Sequence, residues 1–199
     1  MRRLVVASTN DGKVREIREV LFSLRDWTVE ALPPGIAEPE ENGLTFAANA
    51  AIKARAYSLE AGLSRCWVVA DDSGLEVDAL DQRPGIHSAR YALTDEARNQ
   101  RLLAELEGVA PDARTARYVC ALAVGCDGRI LWSIECQVEG AIAAAPAGTN
   151  GFGYDPLFWL PDRECTMAQV DRNVKNVISH RGQALTALRT YLQSVGVSP

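Results

Sequence analysis

The sequence has few cysteines and none in a pairing pattern: Cys66, Cys120, Cys126, Cys136 and Cys165 are scattered, odd in number and free of any C-x-x-C spacing. That suggests neither a disulfide framework nor a zinc site, and makes reduced, cytoplasmic thiols the simplest expectation. Histidine is scarcer still, with only His87 and His180. No apolar run approaches the roughly 20 residues that span a bilayer, so no membrane partner is expected. The stretch Leu4 to Ala7, after Arg2 and Arg3, is too short for the core of a signal peptide. Excess basic charge is lacking too. Lys and Arg total 21 against 26 Asp and Glu, a formal net charge of -5. This argues against nucleic acid as a partner, because neutralising a phosphate backbone needs clustered cations. A small anion held by a few lysines is still compatible with it.

What is present is an ordinary globular composition. The 199 residues are 47% hydrophobic and 24% charged, enough for a single domain over residues 1–199 with its own core. Leu4 to Ala7 reads as a buried strand that enters a polar turn. Val14, Ile17, Val20, Leu21 and Leu24 then recur at helical spacing, with Lys13, Arg15, Glu16, Arg18 and Glu19 on the other face. Residues 32–44 hold three prolines and two glycines and read as loop. Thr45 can cap a second helix reaching about Ala61, on which Asn49 and Lys53 share a face. Cys66 to Ala70 reads as a strand ending at Asp71-Asp72-Ser73-Gly74, which puts two carboxylates at a strand end, where open α/β sheets bind ligands. Thr94 to Gly108 reads as a helix. Residues 115–138 read as two strands around Asp127-Gly128, so the sheet should be mixed. Ile178, Leu185, Leu188, Leu192 and Val195 mark a terminal helix that Ser179 can cap.

Four clusters carry residue types suited to chemistry. Ser8-Thr9-Asn10-Asp11-Gly12-Lys13, between strand and helix, offers hydroxyls, backbone N–H groups and an ammonium to a phosphate. It is not a Walker loop, which would need Gly at Ala7 and a hydroxyl at Val14; it reads equally as a polar turn with a surface lysine. Glu40, Glu41, Asp71 and Asp72 are hard oxygen donors of the kind Mg²⁺ takes in ones and twos. Taken alone, Asp71 to Gly74 reads as a solvated turn. Gly148 to Phe158 mixes flexible backbone with the Phe152 and Tyr154 rings and the Asp155 carboxylate, which suits a flat base; the bland alternative is a glycine turn before an edge strand. Lys175 precedes Ser179-His180-Arg181-Gly182, where a helix start adds to cationic donors. His87, in Pro84 to Tyr91, reads as part of a loop packed by Tyr91.

Taken in order, STNDGK at 8–13, EENGLTF at 40–46, NAAIKA at 49–54, ADDSGLEVDAL at 70–80, PGIHSARY at 84–91, GFGYDPLF at 151–158 and ISHRGQAL at 178–185 resemble the Ham1/RdgB family of inosine triphosphate pyrophosphatases, also described as XTP/dITP diphosphatases. The resemblance implies an α/β fold, two-lobed, with a long mixed central sheet flanked by helices and a central cleft, and a homodimer. It implies hydrolysis of non-canonical purine nucleoside triphosphates (ITP, dITP, XTP) to the monophosphate and pyrophosphate, clearing deaminated purines from the nucleotide pool. By the same resemblance Ser8, Thr9, Asn10, Lys13, Asn49, Lys53 and Ser73 contact the substrate. Glu41, Asp72 and Asp71 form the metal site, filled by Mg²⁺ with Mn²⁺ as the alternative, and Asp72 is the catalytic proton acceptor. Phe152, Gly153, Tyr154 and Asp155 bind the base, while Lys175, His180 and Arg181 cap the purine and phosphates. One departure from the family pattern stands out: Asn173-Val174 replaces an acidic pair before Lys175.

On these expectations a water aimed at the α-phosphorus loses a proton to Asp72, and backbone donors read the six-position carbonyl of the purine. A Maf-type pyrophosphatase of the same fold is one rival, opposed by the SHR and GFGYDP strings. A nucleotide-binding regulator without catalysis is the other, opposed by the intact set Glu41, Asp71, Asp72 and Lys53.

Overall fold

The computed structural model describes residues 1–60 and 62–196. Seven strands form one sheet in the order β2-β1-β3-β4-β5-β6-β7. β1 (Arg2–Ala7) lies parallel to both β2 (Trp27–Ala31) and β3 (Trp67–Val77). β4 (Thr115–Cys126) and β5 (Arg129–Ile142) meet at Asp127 and Gly128, whose φ values of 46° and 75° are the left-handed pair that a two-residue hairpin turn requires. β6 (Phe158–Leu160) pairs antiparallel with β5 and with β7 (Cys165–Thr166), so the sheet is mixed as expected. β6 is therefore flanked on both sides and is not an edge strand.

Five α-helices accompany the sheet among the described residues: α1 (Asp11–Leu21), α2 (Phe46–Tyr57), α3 (Asp95–Glu105), α4 (Arg172–Ile178) and α5 (His180–Gly196). Side-chain oxygens cap four of them. Asn10 accepts from Lys13 N, Thr45 from Ala48 N, Thr94 from Ala97 N and Asp171 from Asn173 N, each satisfying a donor that the first turn leaves unpaired. α2 stops at Tyr57, four residues short of the expected end, and Ala61 lies outside the described residues. The terminal helix starts at His180, so Ile178 belongs to the separate α4; Ser179 sits between the two in extended conformation.

By contacts the chain divides into two compact units. Among the described residues the first comprises 1–60, 62–72, 120–136 and 181–196; the second comprises 73–119 and 137–180. In the first, Leu4, Val6, Ile17, Leu21, Leu122, Leu185 and Leu188 are the centre of the core. In the second, Leu75, Leu102, Leu106, Tyr118, Leu157 and Phe158 play that part, with Val174 packed against them.

Two expectations about charge placement are corrected. β3 does not end before Asp71 but runs through Asp71–Gly74 to Val77, so both carboxylates lie inside a strand and are buried. Glu16, expected on the solvent face of α1, is only 8% exposed. In each case a cation compensates the carboxylate.

Candidate active site

The first unit gathers its charges in two linked sets. Asp71 is 2% exposed and both its oxygens are engaged. Lys13 Nζ lies 2.5 Å from Oδ1, and Arg181 Nε donates to Oδ2 at 2.8 Å. Arg181, itself 3% exposed, reaches Glu16 Oε2 with Nη1 at 2.6 Å. Burial acts to raise the Asp71 carboxyl, but Arg181 and Lys13 outweigh it and hold the group well below the usual carboxylate range. The Cys120 thiol, pushed well up by burial and then by Asp71, keeps its proton and donates to Asp71 Oδ2 at 3.3 Å. Two cations and two carboxylates balance here, as a buried cluster must.

Asp72 points into the other set. Lys53 Nζ stands 3.1 Å from Asp72 Oδ1 and 3.3 Å from Glu41 Oε1. Burial, the largest influence, raises the Asp72 carboxyl above its ordinary value, against the pull of Lys53 and Lys13 and with the help of Glu41. Its second oxygen, Oδ2, is buried without a hydrogen-bond partner. Glu41 is brought here by the 32–44 loop, which Asn49 pins: the Gly43 N–H donates to Asn49 Oδ1 at 2.9 Å, and Asn49 is fully buried. The expected shared face of Asn49 and Lys53 on α2 thus serves to hold the acidic loop and to neutralise it. Nearby, the Tyr57 phenol is pushed up to about 12, first by burial and then by Glu38 and Glu41.

These carboxylates suit Mg²⁺. The ion takes one or two carboxylates along with phosphate and water, and Glu41 with Asp72, whose buried Oδ2 lacks a partner, provides that donor set. Asp71, the third acid expected at the metal site, has its oxygens held by Lys13 and Arg181; among the described residues there is no group of three or more His, Cys, Asp or Glu able to hold a metal. The polar turn after β1 has Asn10 capping α1, the Asn10 N–H donating to Ser8 Oγ at 3.2 Å, and Thr9 Oγ1 donating to Glu38 Oε1 at 2.7 Å. Ser73 follows Asp72 on β3, half-buried.

In the second unit the strip from Gly151 to Asp155 is built around one carboxylate. Asp155 Oδ2 accepts from the Phe152 N–H at 2.9 Å and from Lys175 Nζ at 2.6 Å, while Tyr118 O–H donates to Oδ1 at 3.2 Å. Lys175 Nζ also stands 4.7 Å from the centre of the Phe152 ring. His180 stacks on Tyr118 at 4.6 Å. Tyr154 is 5% exposed and donates its O–H to Ser88 O at 2.9 Å, which gives it a packing role. The Phe152 and Gly153 N–H groups donate to Asp155 and Asp95.

A profile of the Ham1 family matches residues 4–191. The chain belongs to the Ham1 family. Among curated relatives of this Ham1 chain, a dITP/XTP pyrophosphatase of Geobacillus kaustophilus is 51% identical over 94% of this chain and 93% of its own. One from Geobacter sulfurreducens is 44% identical over 99% and 100%. A solved Ham1 protein of Coxiella burnetii superposes with a TM-score of 0.86 at 40% identity, covering 98% of this chain and 100% of that one.

Arg181, expected in the cap over the purine and phosphates, lies in this Ham1 chain inside the Glu16–Asp71 cluster of the first unit. Sequence reasoning missed Glu16, Cys120, Tyr118, Asp95 and Asn99. Glu16 lies three residues after Lys13 and so on the same face of α1, which was the signal available for it. Cys120 and Tyr118 sit in an apolar strand and gave none.

Proposed function

We propose that this chain hydrolyses non-canonical purine nucleoside triphosphates (ITP, dITP and XTP) to the monophosphate and pyrophosphate, with residues 1–199 acting as one functional domain. The observation that carries the reading is Asp72: a buried carboxylate with a raised proton affinity and an unpartnered oxygen, set beside Glu41 and two lysines. Family membership and relatives named dITP/XTP pyrophosphatases support the substrate class.

The chain's residues divide the work. Asp72 accepts the proton of a water whose oxygen forms a bond to the α-phosphorus, as the bond to the β-phosphate bridging oxygen breaks and pyrophosphate leaves. Lys13 and Lys53, with Ser8, Thr9 and Asn10 at the start of α1, neutralise and orient the triphosphate. Ser73 adds a hydroxyl contact. Glu41 and Asp72 would hold Mg²⁺, or Mn²⁺ in its place, and the bound ion supplies electrostatic stabilisation of the phosphate oxygens. Asp71 and Arg181 act through Lys13 and each other, by fixing its ammonium. Phe152 to Asp155, with Lys175 and His180, provides the aromatic face and the donors that suit a purine. The chain is proposed to work as a homodimer in the cytoplasm. Its five free cysteines fit a reducing compartment, and no described helix is long and apolar enough to cross a membrane.

The decisive assay incubates the protein with Mg²⁺ and a panel of ITP, dITP, XTP, ATP and GTP, and separates pyrophosphate from orthophosphate. Pyrophosphate should appear with the inosine and xanthine nucleotides ahead of ATP and GTP. Orthophosphate alone would mean that a different bond is cut, and the reading would fall.

A further inference from the structure

The middle of the 151–155 strip is fixed from outside itself. Gly153 has a φ of 64°, a left-handed turn that leaves both its backbone groups needing partners. α3 supplies them. The Gly153 N–H donates to Asp95 Oδ2 at 2.7 Å, and Asn99 Nδ2 donates to Gly153 O at 3.0 Å. Asp95 and Asn99 are four residues apart on a helix and so share one face. The first turn that carries them is itself tied down. Thr94 caps it, Arg98 Nη1 reaches Asp95 Oδ1 at 2.5 Å, and Arg98 Nε donates to Ala92 O at 3.0 Å.

Asn99 is an odd choice on local grounds. Asparagine is disfavoured in helix interiors because its amide competes for backbone hydrogen bonds. Its Oδ1 is moreover buried without a partner, a cost that a side chain kept for packing alone would avoid. Turning the amide over would set Oδ1 against Gly153 O, oxygen against oxygen, so the donor must face the strip. The neighbouring residue is fixed separately, since Phe152 N–H is held by Asp155.

We infer that Asp95 and Asn99 are positioning residues for base selectivity: by holding both backbone groups of Gly153 they set where the strip stands against the purine. The inference rests on reading the strip as the base site. Their side chains hold Gly153 and Arg98 and none of the groups read as phosphate or metal contacts, so their effect belongs in KM and in the ratio between nucleotides. A shift of a few tenths of an ångström in Gly153 alters how closely each ring edge is met, without moving Asp72 or Glu41.

The test measures kcat and KM for pyrophosphate release from ITP and GTP with the full-length chain, beside thermal melts, for Asn99→Asp, Asp95→Ala, Asp95→Asn and Phe152→Ala. Asn99→Asp loses the donor and Asp95→Ala the acceptor. Each should raise KM for ITP and lower the ITP to GTP ratio of kcat/KM by about three- to tenfold, the weight of one net hydrogen bond, with kcat for ITP within about twofold of wild type. Asp95→Asn keeps an acceptor oxygen and should retain the ratio, which loss of helix stability alone would not explain. Asn99→Ala carries the same test if Asn99→Asp does not fold. An unchanged ratio in folded Asn99 variants, while Phe152→Ala shifts it, overturns the inference and leaves the base site standing. No shift in Phe152→Ala either would remove the base site and the inference with it.

Discussion

Asp71 and Asp72 are neighbours in a strand, yet their surroundings push their proton affinities in opposite directions. Asp71 is held well below the usual range by Arg181 and Lys13 against burial, and Asp72 is raised by burial. The signs for stability follow by linkage. A depressed carboxylate contributes stability above the ordinary carboxylate range and loses it as pH falls through its folded value. A raised one contributes at low pH and loses that contribution as pH rises through its folded value, so at neutral pH ionised Asp72 opposes folding. Thermal melts in metal-free buffer near pH 7 should therefore separate the two. Asp71→Asn strips compensation from buried cations and should cost about 3 kcal/mol, a gap that narrows in acid. Asp72→Asn should melt no lower than wild type, yet lose kcat by about a hundredfold or more. A folded Asp72→Asn enzyme with near-normal turnover would end its role as proton acceptor. Residue types announced this acidic pair; the difference between its members came from Arg181, which lies 110 positions away from Asp71.

At the scale of elements, helix starts were legible where a capping residue preceded an apolar period, as at Thr45 and Thr94. The hairpin at Asp127-Gly128 was legible for a similar reason, since few residue pairs accept left-handed backbone twice. β3 was misread because charged residues in a strand look like a turn until their distant partners are known. β2 went unread: it is only five residues long, with one of them buried. The glycine strip illustrates a constraint between elements. Gly151 has a φ of 77°, and a Cβ there would overlap Asp155 Oδ2 and press on Lys175 Nζ. Gly151→Ala is expected to lower the melting temperature, at about 1 to 2 kcal/mol for the backbone alone, and to raise KM for ITP by displacing Lys175. An alanine variant with unaltered KM would show that the Asp155–Lys175 contact does not matter to binding.

For the whole molecule, the metal offers the broadest check. Chelation should abolish turnover, and returning Mg²⁺ should raise the melting temperature of the wild-type protein, because a ligand that binds only the folded state stabilises it. Asp72→Asn should show little of that rise. An equal Mg²⁺ response in both proteins would place the ion elsewhere. The sequence by itself determined the mixed α/β class and which short segments hold the acidic, basic and aromatic residues, because local periodicity, capping and turn chemistry are written in neighbouring residues. Only the tertiary structure decided that Asp71 is locked by Lys13 and Arg181 while Asp72 keeps an oxygen unpartnered, and that α3 grips Gly153. The physical reason is that burial and charge compensation depend on groups brought close in space, and no short stretch of chain records them.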